Sequence, residues 1–257
     1  MFDEILFALR RSKIGAIEHG TVHQSRSAKS LFAGNFDGVM SVQEEFSGSR
    51  LGIGVMENLD GELVSLRGAT WAVPSSGVPR VAHEYETVAF GIAASGGVRH
   101  KIQISTDASL DEISEEIDAA LLKLHIDHEE IVCAIEIVGD FRDVVLRTVH
   151  QPDYEGETLG EIIDDEVRFS FNRWTGTLVG FRYPDKTSGL TIPGLHLHGI
   201  SDDRKSGGHL RAATVLRVSA HIWLDDLSVM PSEGAQATED DTIDFDRFEG
   251  PISTGES

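Results

Sequence analysis

The sequence predicts an α+β, mostly β protein: two closely associated β-rich halves, a mixed or open barrel-like sheet, with few helices. Three observations predict it. Short apolar runs of strand length recur between glycine-bearing turns, a late stretch alternates with period two, and one long segment alone has clear helical spacing.

Residues 1–30 read as a weakly structured N-terminal arm, in which Phe2, Ile5, Leu6 and Leu9 form at most an amphipathic turn or two. Its polar face is not basic, so a packing or dimer contact fits that stripe better than a membrane anchor. An N-terminal β-rich half follows over 31–155. Within it Leu51–Met56 and Glu62–Leu66 flank Asn58-Leu-Asp60-Gly61, and Asp-Gly between β-type runs is a strong hairpin signal. Thr70–Val73 and Thr87–Ile92 continue the series.

A helix over about 110–125 comes next. Ser109-Leu-Asp-Glu112 is a capping box, Leu110, Ile113, Ile117, Leu121 and Leu124 form one apolar face, and Asp111, Glu115, Glu116 and Asp118 line the other. Ile131–Val138 reads as a buried strand and Asp143–Val149 as another. The polar connection Gln151–Gly160 marks a soft boundary, and a C-terminal β half over 156–230 follows it. There Thr214, Leu216, Val218, Ala220, Ile222 and Leu224 mark the apolar face of a half-buried strand. The tail, 231–257, has eight acids and one base from Ser232 on, and reads as disordered or peripherally docked.

Composition narrows the function. The 257 residues are 40% hydrophobic and 25% charged, ordinary for a globular chain, with a net charge of −21. So acidic a surface repels polyanions, which argues against nucleic acid and anionic membranes as partners. No stretch is apolar for the ~20 residues of a membrane span. Acids rather than cations precede the first apolar patch, so no secretory signal is read and the chain is expected in the cytoplasm. The single cysteine, Cys133, excludes an internal disulfide framework and sits in an apolar run as a small hydrophobe.

The informative stretch is Gly194-Leu-His196-Leu-His198-Gly-Ile-Ser-Asp-Asp-Arg204-Lys205-Ser-Gly-Gly-His209. On a strand, residues i and i+2 share a face, so His196 and His198 present both imidazoles to one side. A turn over Asp202–Gly208 then returns His209 beside them. Three imidazoles from one hairpin make a preformed divalent-metal site with open positions. Nitrogen ligands without thiolates suit Zn2+, with Fe, Mn, Ni or Co also compatible on ligand type. His125 and His128, at the end of an acidic helix, read as surface residues. Gly52-x-Gly54 and Ser206-Gly-Gly208 lack the helix that a phosphate-binding turn requires.

The run Pro193–His209 resembles the zinc signature of the alpha-acetolactate decarboxylase family. So do Gly176–Arg182, Leu59-Asp-Gly-Glu62-Leu, Gly139–Val149 and Phe36-Asp-Gly38, and the resemblance covers roughly residues 31–230. It implies that His196, His198 and His209 bind the metal, that Glu62 is the active-site glutamate and Arg147 the active-site arginine, and that the assembly is a homodimer. The chain departs from the family pattern at Val55, where threonine is commoner, and at Leu195 and Gly199, which replace larger residues and are expected to enlarge the pocket. The family's second, C-terminal glutamate has no aligned counterpart in this acidic tail, where Glu249, Glu256 or another tail carboxylate is a candidate.

The implied reaction turns (S)-2-acetolactate, a small 2-hydroxy-3-keto acid, into (R)-acetoin and CO2. Loss of CO2 leaves charge on the neighbouring ketone oxygen as an enediolate that a Lewis acid chelates. Arg147 would orient the carboxylate and Glu62 would deliver the proton. Arg204 and Lys205 either assist the anion or merely hold the hairpin turn. One alternative is another three-histidine metalloenzyme, a cupin-like dioxygenase or isomerase, though its usual nearby glutamate ligand is replaced by Asp202 and Asp203 in a turn. The other is a non-catalytic member binding a keto acid or metal.

Overall fold

The structure, a computed structural model, describes residues 20–129, 131–184 and 190–229. In chain order the elements are β1 (Gly20–Gln24), α1 (Ala28–Phe32), β2 (Met40–Ser41), α2 (Val42–Phe46), β3 (Leu51–Met56), β4 (Glu62–Leu66), β5 (Ala69–Val73), β6 (Arg80–Val81), β7 (Thr87–Ala94) and β8 (Arg99–Ile102). Then follow α3 (Leu110–Lys123), β9 (Val132–Thr148), α4 (Leu159–Asp164), β10 (Val167–Tyr183), β11 (Gly194–Ser201) and β12 (Gly207–Val229). The mostly β class with few helices is what the sequence pattern predicts.

The sheet runs β11-β10-β9-β12-β1-β7-β3-β4-β5-β6, and β11 also pairs with the start of β12, closing a circuit of β9, β10, β11 and β12. β1 joins this circuit to the N-terminal strands, parallel to β12 and antiparallel to β7. That strand lies inside the span expected to be an arm. Its sequence, Gly-Thr-Val-His-Gln, has little strand signal of its own, and its order comes from partners on both sides. Residues 1–19 and the tail beyond 229 lie outside the described residues. β9 and β10, on either side of the soft boundary at 151–160, pair from Cys133 opposite Arg182 to Thr148 opposite Val167.

The stretch expected as two strands is the single strand β9. Gly139 stands where a Cβ would come within 2.1 Å of the Arg217 carbonyl oxygen, so close strand approach rather than a turn explains it. Nearby irregularities change which way side chains point. Ile135, Ile137 and Phe141 face the same core as Val144 and Leu146, so the inward face switches from odd to even numbers around Asp143, whose φ is +51°. β12 has register shifts at 210/212, 212/214 and 215/217, and its inward residues switch from Leu210 to Ala213 and Val215 and back to Ala220 and Ile222.

The long strands are buried on both faces. One core holds Ile135, Leu178, Ile222 and the apolar face of α3; the other holds Ala134, Phe181, Trp223 and the N-terminal strands. α3 begins with the predicted capping box, the Ser109 hydroxyl accepting from the Glu112 N–H and the Glu112 carboxylate accepting from the Ser109 N–H. Its Ile113, Ile117 and Leu121 are fully buried, whereas Leu122 is 72% exposed. We expect Ile117→Ala to lower unfolding free energy by about 2–5 kcal/mol, and Leu122→Ala to change it by less than about 0.5 kcal/mol, in denaturant titrations.

Candidate active site

The three histidines come together as the hairpin pattern predicts. β11 places His196 and His198 on one face, and the return strand puts His209 opposite His198. All three are buried, with ring centroids 4.8–5.4 Å apart. His196 Nε2 lies 3.2 Å from His198 Nε2 and 3.1 Å from His209 Nδ1. His198 Nδ1 is 2.8 Å from the Leu63 carbonyl oxygen, so it carries the proton and turns the Nε2 lone pair toward His196. Burial pushes His196 and His209 well below the usual imidazole pKa, with neighbouring His and Arg147 charge adding to it. It also lowers His198, against a partly opposing Glu62 carboxylate. Neutral, converging ring nitrogens are the donor set that imidazole ligation of a divalent ion requires, so these residues fit a metal.

The two residues implied by resemblance sit beside that cluster. Arg147 of β9 is directly opposite His209, because Gly208 lets β12 press within 2.4 Å (as a Cβ would measure it) of the Arg147 carbonyl oxygen. Glu62 opens β4, paired with Val55 of β3, and reaches the cluster from the N-terminal strands. Its Oε1 accepts from Arg147 Nη1 at 2.6 Å, and its Oε2 lies 3.5 Å from His198 Nε2. Both side chains are under one-tenth exposed.

Glu62, Arg147, His196 and His198 line one side of a pocket whose remaining wall is apolar. Leu31 and Phe32 of α1, Leu159 and Ile163 of α4, and Ile192 form much of it, together with Ile53, Val55 and Phe90. Leu59 joins them from the turn between β3 and β4, where it holds φ +56°. That left-handed conformation costs a non-glycine residue about 1–2 kcal/mol, and burial of the leucine side chain offsets it.

Two expectations about the pocket change. Leu195 and Gly199 do not enlarge it: with period two, the odd residues of β11 face away from the histidines. A Cβ on Gly199 would meet Leu178, Leu146 and Trp174, and Leu195 packs against that same core. Val55 is the departure from the family pattern that does reach the pocket. Arg204 and Lys205 hold the turn. The Arg204 guanidinium lies 4.7 Å from the Trp71 ring centroid and its Nη1 donates to the Ser201 carbonyl, while Lys205 is an exposed partner of Asp203. Asp203 accepts from Ser201 Oγ and the Lys205 N–H, so it is engaged in the turn rather than at the histidines. Cys133 is buried and His125 exposed, as their contexts predict, whereas His128 is half-buried. Glu249 and Glu256 lie outside the described residues.

Sequence reasoning missed the carboxylate of Glu166. It follows α4 and lies 3.3 Å from Arg147 Nε, 2.6 Å from Arg168 Nε and 3.6 Å from Arg211 Nε. Nothing in Glu-Val-Arg signals that contact, which the sheet register creates.

Comparison with known proteins agrees with this geometry. Residues 22–230 match the family model described as alpha-acetolactate decarboxylase. The alpha-acetolactate decarboxylase of Raoultella terrigena is 29% identical over 189 residues, 74% of this chain and 71% of that protein. That of Bacillus licheniformis is 30% identical over 189 residues, 74% of this chain and 73% of its own. The crystal structure of alpha-acetolactate decarboxylase from Bacillus subtilis strain 168 superimposes with a TM-score of 0.76 at 25% identity, covering 84% of this chain and 90% of that one.

If the three imidazoles act as one site, His198→Ala and His209→Ala each lose stoichiometric divalent metal in elemental analysis after dialysis. Lys205→Ala, in the same hairpin, retains it.

Proposed function

The chain belongs to the alpha-acetolactate decarboxylase family, and from that premise we propose that Glu62, Arg147 and the three histidines form its active site. The protein is a carboxy-lyase that converts 2-acetolactate to acetoin and CO2. The observation that carries the residue assignment is the convergence of Glu62 and Arg147 on the histidine cluster from strands far apart in sequence.

The chain's own groups divide the work. Arg147 Nη1 is engaged by Glu62, and no partner of Nη2 is found among the described residues, so Nη2 is the donor offered to the substrate carboxylate. A guanidinium holding that carboxylate orients and anchors the substrate, since its planar fork matches the two carboxylate oxygens. A divalent ion held by His196, His198 and His209 would supply a Lewis acid at the oxygen on which negative charge develops. Glu62 Oε2, at the edge of the cluster, is placed to exchange a proton with the substrate: its carboxylate takes one from the hydroxyl and returns one to carbon after CO2 leaves, with solvent supplying the second. Delivery from one side gives one enantiomer, (R)-acetoin in this reading. Leu31, Phe32, Leu159 and Ile163 cover the substrate's methyl groups and keep bulk water from the reacting carbon.

Zinc is the proposed ion, supported by a ligand set of nitrogens without thiolate. A homodimer in the cytoplasm is the proposed state, supported by the family resemblance and by a surface unsuited to membranes or nucleic acid. No helix among the described residues is long and apolar enough to cross a membrane. The alternative of a cupin-like dioxygenase or isomerase loses ground to family membership over residues 22–230, and a non-catalytic member would bind metal without turnover.

Acetoin release from racemic 2-acetolactate tests the whole reading: chelation should abolish it and returned zinc should restore it. Glu62→Gln should retain metal yet lose turnover by about 10²–10⁴-fold, the usual contribution of a positioned acid–base group. Normal rate and product chirality in that variant would remove Glu62 from the proton path.

A further inference from the structure

Carboxylates flank Arg147 on two sides. Glu62 accepts a hydrogen bond from Nη1, at 2.6 Å, and the Glu166 carboxylate lies 3.3 Å from Nε, a buried ion-pair contact without hydrogen-bond alignment. The Glu166 side chain is only 3% exposed, and its backbone N–H donates to the Ile163 carbonyl at the end of α4, the helix whose Leu159 and Ile163 form part of the pocket wall. The same carboxylate meets Arg168 of β10 and Arg211 of β12, so one buried anion lies among guanidiniums from three neighbouring strands. Arg147 has a long, rotatable side chain, and the guanidiniums of Arg168 and Arg211, which meet the same carboxylate, repel it. Without the anion behind Nε, the contact of Nη1 with Glu62 is what remains among the described contacts to orient the guanidinium.

We infer that Glu166 is a positioning residue for the reaction: it holds the Nε edge of Arg147 so that Nη2 is aimed into the pocket at the substrate carboxylate. The inference rests on Arg147 as the carboxylate binder. Its consequence has a definite kinetic form. The carboxylate is anionic in the bound substrate and becomes neutral CO2, so a well-aimed guanidinium favours the ground state at least as much as the transition state. Loosening Arg147 therefore weakens substrate binding without slowing the chemical step.

The test is steady-state kinetics on the metal-loaded enzyme with 2-acetolactate. Glu166→Gln should raise KM roughly tenfold and leave kcat within about twofold, with metal content unchanged. Arg147→Lys should raise KM at least as much, and the double variant should be no worse than Arg147→Lys alone, because both changes remove one interaction. An unchanged KM in Arg147→Lys overturns the carboxylate role of Arg147 itself. A raised KM there with an unchanged KM in Glu166→Gln overturns only the positioning role. A loss in kcat as large as the rise in KM, or multiplicative effects in the double variant, assigns Glu166 to general stability instead and overturns the inference. Should Glu166→Gln fail to fold, Glu166→Asp decides in its place. It keeps the charge but is one methylene shorter, so a raised KM with preserved kcat supports positioning and an unchanged KM refutes it.

Discussion

One row of the sheet holds the site together. His198, His209, Arg147 and Arg168 stand opposite one another on β11, β12, β9 and β10, four strands hydrogen-bonded in sequence. A strand that slips by one residue turns every side chain to the other face, so this row exists in only one register. Two devices secure it. Gly208 removes the Cβ that would strike the Arg147 carbonyl oxygen, and the irregularities near residues 139–143 and 210–217 reset the alternation along both long strands. Had β9 kept the parity of Ile135, Ile137 and Phe141, Arg147 would point into the core shared with α3. The irregularities are what allow strands of 17 and 23 residues to bury apolar side chains along most of their length and still present polar groups at one end.

That dependence also explains what could be read beforehand. The histidine hairpin and α3 are local: each lies within about 16 consecutive residues, and period two or a capping box states the geometry directly. The pairing of Glu62 with Arg147 spans 85 positions and could be inferred only from resemblance, since no periodicity connects them. Glu166 had no such resemblance and was not found. The division of β9 into two expected strands has the same origin. Gly139-Asp140 and Arg142-Asp143 have turn composition, but in the fold that composition marks a bulged, twisted strand kept in place by β10 and β12. Likewise β1 is a strand because of its neighbours, not its residues. Gly199 shows the converse: it neighbours His198 in sequence, but alternation along β11 turns it to Leu178, Leu146 and Trp174 on the opposite face.

The charge distribution poses a separate problem, since a chain of net charge −21 must admit an anion. At long range that field is unfavourable, but salt screens it over about 8 Å at physiological ionic strength. Inside the site the balance is different. Arg147 and Arg211 are buried beside the buried carboxylates of Glu62 and Glu166, and Arg168 reaches Glu166 from the partly exposed side. The histidines add no charge of their own, because burial keeps them neutral. Arg147, beside the divalent ion that the histidines would hold, then meets the substrate carboxylate, and the low local dielectric makes those short-range attractions worth more than the screened surface opposes. The two carboxylates are not a waste of attraction. Buried guanidiniums without carboxylate partners would bind any small anion and would hold none of them in a defined orientation. Glu62 and Glu166 occupy two edges of Arg147 and leave the third, which converts a general attraction for anions into a preference for a carboxylate arriving from the direction of the histidines.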